Sequence, residues 1–125
     1  MSGEARLFAL RGATSVVANT EPAILDATEE LMHELIDRNG LTVEQIVSCI
    51  FTVTSDLDAA FPAVAARRLG LDRVPLLCAQ EIDVPGSLRS VIRVLVHHYA
   101  APDHKARHVY LGEARSLRTD LDAAQ

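Results

Sequence analysis

Leu88-Arg89-Ser90-Val91-Ile92-Arg93-Val94-Leu95-Val96 is the stretch that decides how this chain folds. It is apolar and β-branched, and Pro85-Gly86 breaks the chain just before it, so residues 88–96 read as a strand. Arg93 interrupts it. A charge inside an apolar strand is costly unless it is paired or used, so the same segment carries core and candidate chemistry together.

Working outward, residues 46–54 (Ile46-Val47-Ser48-Cys49-Ile50-Phe51-Thr52-Val53-Thr54) form a second β-branched run. It follows a start signal at Thr42 and Gln45 and ends where Ser55-Asp56 turns the chain. Residues 74–78 read as a third strand, and Pro102-Asp103 opens a connector to a fourth at His108-Val109-Tyr110-Leu111. Near the N-terminus, residues 6–11 are a short apolar run stopped by Gly12, which puts Arg11 at a strand end. Between these, Thr20 caps a helix with Pro22 in its first turn. Ile24, Leu25, Leu31, Met32, Leu35 and Ile36 recur at helical spacing until Asn39-Gly40 stops it. Phe61-Pro62 opens a short alanine-rich helix through Arg67, Arg68 and Leu69, closed by Gly70. The sum is an α+β fold, a mixed β-sheet with helices on one face; the uncovered face needs a partner, which points to an oligomer.

The 125 residues make one domain, residues 1–125, with a polar C-terminal tail over about 115–125 expected to be mobile. With 49% hydrophobic and 23% charged residues the chain is too apolar for disorder, and its apolar runs are too short for a bilayer span. A net charge of -5 disfavours a broad nucleic-acid surface. Met1-Ser2-Gly3-Glu4 lacks the basic start of a signal peptide, so the expected location is cytoplasmic, with no membrane association. The two cysteines, Cys49 and Cys78, have no second ligand at metal spacing. His97 and His98 are adjacent on a strand and point to opposite faces, so no metal is expected.

Arg11, Cys78, Glu81, Arg93 and Tyr110 stand out as polar or reactive groups set in apolar surroundings. Taken alone they have ordinary readings: the arginines as ion-pair partners at strand ends, Glu81 as their counter-ion, Cys78 as a small core residue, Tyr110 as a half-buried strand residue. Their context gives them more weight. Leu10-Arg11-Gly12-Ala13-Thr14, Asp56-Leu57-Asp58-Ala59-Ala60-Phe61-Pro62-Ala63, Val74-Pro75-Leu76-Leu77-Cys78-Ala79-Gln80-Glu81-Ile82-Asp83-Val84, Ile92-Arg93-Val94 and Arg107-His108-Val109-Tyr110-Leu111 occur in that order. In that order and spacing the sequence resembles the monofunctional chorismate mutases of the Bacillus type, the aroH class, collinearly over nearly its whole length.

The resemblance implies a trimer whose sheets form a pseudo α/β barrel with sites between subunits, and a cofactor-free isomerase that converts chorismate to prephenate by a pericyclic Claisen rearrangement. In that reading Arg93 faces the ether oxygen of the breaking C–O bond, Glu81 accepts a hydrogen bond from the ring hydroxyl, and Arg11 is a second cation near the ether oxygen and side-chain carboxylate. Tyr110 donates to a carboxylate, Arg67 gathers the dianion, and Cys78 lines the site beside Glu81. Phe61, Leu117 and Arg118 resemble pocket walls and the closing C-terminal segment. The sequence departs from the family pattern at Val64, often a lysine, and at Leu77, often a threonine. That loss keeps an alternative open, a non-catalytic trimeric module binding small carboxylates; a hydrolase using Cys78 or Glu81 would need an activating histidine that the motif does not supply.

Overall fold

The computed structural model describes residues 4–117. Its strands are β1 (Arg6–Ser15), β2 (Ile46–Val53), β3 (Leu76–Gln80), β4 (Val91–Ala100) and β5 (Val109–Leu111), joined in one sheet of order β3-β2-β4-β1-β5. β4 is central and antiparallel to both β1 and β2, while β3 and β5 add parallel to the outer sides of β2 and β1.

Helices α1 (Glu21–Arg38) and α2 (Ala63–Arg68) lie on one face, as the sequence predicts. The Thr20 side chain caps α1 by accepting the Ala23 N–H at 3.3 Å, and Pro22 is fixed where no helical N–H is needed. Ile24, Leu31, Met32 and Leu35 of α1 are buried against Leu10, Phe51, Ile92 and Val96 of the sheet. Among the described residues no helix is long and apolar enough to cross a membrane.

Directly paired residues share a sheet face, so the register assigns the other face as well. The pairs Thr52↔Arg93, Ile50↔Leu95, Ala13↔Arg93 and Ala13↔Tyr110 put these side chains together on the face that no helix covers.

Several boundaries differ from the expectation; β4 runs on to Ala100 and β3 to Gln80, and three of the shifts have a visible cause or bear on the site. β1 continues to Ser15 instead of stopping before Gly12, because Gly12 serves packing: a Cβ there would lie 2.7 Å from Leu35 Cδ1. β3 begins at Leu76, two residues late. β4 begins at Val91 because Ser90 takes a left-handed conformation (φ 55°), and the Asp56 carboxylate accepts from both its N–H and its hydroxyl. Residues 88–90 are therefore the turn into the strand.

Candidate active site

Alternation along β1, β2 and β4 places Arg11, Thr52, Arg93 and, from β5, Tyr110 around a cavity of about 400 Å³ on the open face. Its remaining lining is apolar or backbone, from Ala13, Ile50 and Leu95 among others. Glu81 follows β3 directly, and its N–H donates to Val53 O at 2.8 Å, extending the ladder by one residue.

The Glu81 carboxylate is engaged through one oxygen. Oε2 accepts from the Thr52 hydroxyl and lies 3.5 Å from Arg93 Nε. That contact is an ion pair without a hydrogen bond: Arg93 Nε is buried and has no hydrogen-bond partner among the described residues. A buried donor left in that state costs free energy that a bound acceptor can recover.

Arg11 is fixed through its backbone, whose N–H donates to His108 Nδ1 at 3.0 Å. That nitrogen therefore carries no proton. Burial, and then the Arg11 charge, holds the His108 pKa below the usual histidine value.

The structure separates the expected site residues into two groups. Phe61, Val64 and Cys78 line a second cavity of about 470 Å³ at the β3 edge, which shares no lining residue with the first. Phe61 is 69% exposed there. Cys78 pairs with Phe51 and so belongs to the helix face, not to the Arg93 cavity. Arg67 is exposed on α2, and Leu77 is exposed on the open face of β3. Leu117 packs with Tyr110 against Ala13, Val91 and Ala114, beside the first cavity. Arg118 lies outside the described residues, as does most of the expected tail, whereas Gly112–Arg115 forms a turn of 3₁₀-helix.

Thr52 is the site residue that sequence reasoning missed. It lay inside an ordinary β-branched run, and only the register opposite Arg93 distinguishes it. The other reactive groups lie elsewhere. The Cys49 thiol is buried in the core, which pushes its pKa up to about 12 and leaves it inert. His97 contacts Ser48 Oγ at 3.2 Å, while His98 is buried between Phe8 and His104. No group of three or more His, Cys, Asp or Glu side chains is placed to hold a metal ion among the described residues. With two arginines and a tyrosine facing it, the cavity is equipped to hold carboxylates and to stabilise negative charge, whereas general-base or nucleophilic chemistry has no matching pair there.

The family model for chorismate mutase type I matches residues 7–121. A protein of Thermus thermophilus named chorismate mutase AroH is 51% identical over 118 residues, 93% of this chain and 97% of that one. Its namesake in Bacillus subtilis is 42% identical over 114 residues, 90% of each chain. The solved structure of a chorismate mutase from Clostridium thermocellum superposes with a TM-score of 0.85 at 50% identity, covering 87% of this chain and 98% of that one.

Proposed function

The chain belongs to the type I chorismate mutases, and from that premise we propose that the open-face cavity binds chorismate and rearranges it to prephenate without a cofactor. The reaction needs no nucleophile and no proton transfer. As the ether C–O bond stretches, negative charge grows on its oxygen, and a fixed cation there favours the transition state over the bound substrate. Arg93 is that cation. The observation that carries this reading is its buried Nε, without a hydrogen-bond partner among the described residues and held 3.5 Å from Glu81.

Among the described residues the Oε1 oxygen of Glu81 has no protein partner and accepts the ring hydroxyl. Arg11 and Tyr110 hold carboxylate oxygens, which selects the folded conformer in which the reacting carbons meet.

The proposal includes a homotrimer in the cytoplasm, with sites between subunits. Two observations support the assembly. The open face exposes Leu7, Leu77 and Tyr99, and an apolar sheet face of this kind is normally covered. The second cavity, with Phe61, Val64 and Cys78, is separate from Arg93 in one chain, so a neighbouring copy supplies that wall. Val64 brings no polar group to that wall and Leu77 brings none to the open face of β3, which lowers the affinity for the dianion and leaves the Arg93–Glu81 centre unchanged.

The test is to add purified protein to chorismate, follow loss of the diene absorbance, and identify prephenate by its acid conversion to phenylpyruvate. Saturable turnover that Arg93→Ala lowers by roughly a hundredfold or more is expected, the scale of losing one fixed donor from a preorganised site. Unchanged turnover in Arg93→Ala would refute the assignment. Chorismate binding without turnover in the unaltered protein would instead make this a carboxylate-binding module.

A further inference from the structure

The Glu81 carboxylate stands beside a guanidinium, yet the two do not form the close, hydrogen-bonded pair that a carboxylate and an arginine normally adopt. The nearest approach is 3.5 Å, from Arg93 Nε to Glu81 Oε2. What occupies that oxygen instead is the Thr52 hydroxyl. Thr52 is directly opposite Arg93 in the β2–β4 register and lines the same cavity, so all three side chains emerge from one small area of sheet.

We propose that Thr52 is a positioning residue of the site: its hydroxyl holds Glu81 by Oε2, turns Oε1 toward the ligand, and keeps the carboxylate from closing on Arg93. The inference rests on the assignment of Glu81 and Arg93 to the site. Its physical basis is competition for one cation. An arginine in full contact with its own carboxylate has its donors occupied and its charge compensated, and stabilises a developing oxyanion poorly. A hydroxyl that donates to the carboxylate satisfies part of that charge locally and fixes the rotamer, so the guanidinium remains available.

Thr52 suits this task by its geometry. Its β-branch restricts χ1, so few directions are open to the hydroxyl, and one of them meets Glu81. The neighbouring open-face position on β2, Ile50, offers no polar atom, and the backbone of β2 is committed to β3 and β4.

Thr52→Val preserves shape and strand propensity and removes the hydroxyl alone. The expected result is a drop in kcat of roughly ten- to a hundredfold, the worth of a hydrogen bond to a charged group, with KM changing much less and the thermal midpoint nearly unmoved. Thr52→Ser, which keeps the hydroxyl, restores most of that loss. In a Glu81→Ala background Thr52→Val has no further effect, because its partner is gone. Turnover in Thr52→Val equal to the unaltered protein, while Glu81→Ala and Arg93→Ala are both impaired, would overturn the role of Thr52 and leave the site standing. Full additivity in the double variant would overturn it too, by showing that the hydroxyl acts on something other than Glu81. If Glu81→Ala and Arg93→Ala both turn over normally, the site reading fails and this inference with it.

Discussion

Asn39 is the residue through which helix α1 holds the approach to β5, and replacing it tests that connection. The side chain is buried, 7% exposed. Its Nδ2 donates to Leu35 O at 2.8 Å and to Arg107 O at 2.9 Å, and its Oδ1 accepts the Arg107 N–H at 2.8 Å. One amide thus serves the last turn of the helix and both backbone groups of a residue that precedes Tyr110 by three. Leu35 O keeps a second partner, the Asn39 N–H, but both Arg107 groups lose theirs. At about 0.5–1.5 kcal/mol net per hydrogen bond, Asn39→Ala should cost about 2–3 kcal/mol, toward the middle of the range because the two bonds to Arg107 are only part-buried. Asn39→Asp is nearly isosteric and more revealing. It keeps the acceptor for Arg107 N–H, but it turns a carboxylate oxygen toward two carbonyls at the negative end of a helix, so it should destabilise at least as much as alanine. The assay is urea unfolding followed by far-ultraviolet circular dichroism at one fixed protein concentration, so that any self-association is the same for every variant. A lower midpoint with an unchanged slope is expected for both variants. If Asn39→Ala lies within about 0.5 kcal/mol of the unaltered protein, the size expected of an ordinary surface change, the amide does not hold this segment. Asn39→Asp more stable than Asn39→Ala would refute the account of the donated bonds.

Two further outcomes follow from the same structure. Burial lowers the pKa of both His98 and His108 below the usual 6.5, so each binds its proton more readily in the unfolded chain; their contribution to stability is complete above that pH and is lost as pH falls below it. Urea midpoints should be level from about pH 8 to 7 and decline toward about pH 5, and His98→Phe should flatten part of that decline; a profile in which His98→Phe declines as steeply would exclude this histidine as a source. Gly12→Ala brings a methyl within 2.7 Å of Leu35 Cδ1 and 3.1 Å of both Leu31 Cδ1 and Val94 Cγ1. These are side-chain ends that can yield, so a cost of about 1–3 kcal/mol is expected in thermal unfolding, and an unchanged midpoint would mean that α1 has room to move away from β1.

The parts of this fold that were legible in the sequence are those whose signals are local. Thr20, Pro22 and Asn39-Gly40 bracket α1 within a few residues of its ends, and the helix is found there. The start of β4 was not legible, because the left-handed turn at Ser90 is held by Asp56, far away in sequence. Gly12 looked like a stop for β1, as glycine often is, but its reason for being small is Leu35 across the layer. The site divides in the same way. Arg11, Glu81, Arg93 and Tyr110 stand out as polar groups in apolar strands, and the register gathers Arg11, Arg93 and Tyr110 at one cavity with Glu81 against Arg93. Thr52 needs the β2–β4 register before it means anything, and nothing in the order of residues says that Phe61 and Cys78 belong to a different cavity.

The position of β4 at the centre of the sheet, flanked by β1 and β2, also governs how the chain reaches this state. Its ladder with β1 runs from Arg6↔Ala100 to Ser15↔Val91, so the longest pairing in the molecule joins segments far apart in the sequence. A growing polypeptide therefore extrudes β1, α1 and β2 well before the strand that unites them exists, and their apolar faces stay open to solvent and chaperones until almost the whole domain is made. Closing so large a loop before any reward from pairing places refolding at the slow, milliseconds-to-seconds end of single-domain rates. Truncation just before residue 91 leaves β1 with no strand to join it to the β2–β3 pair.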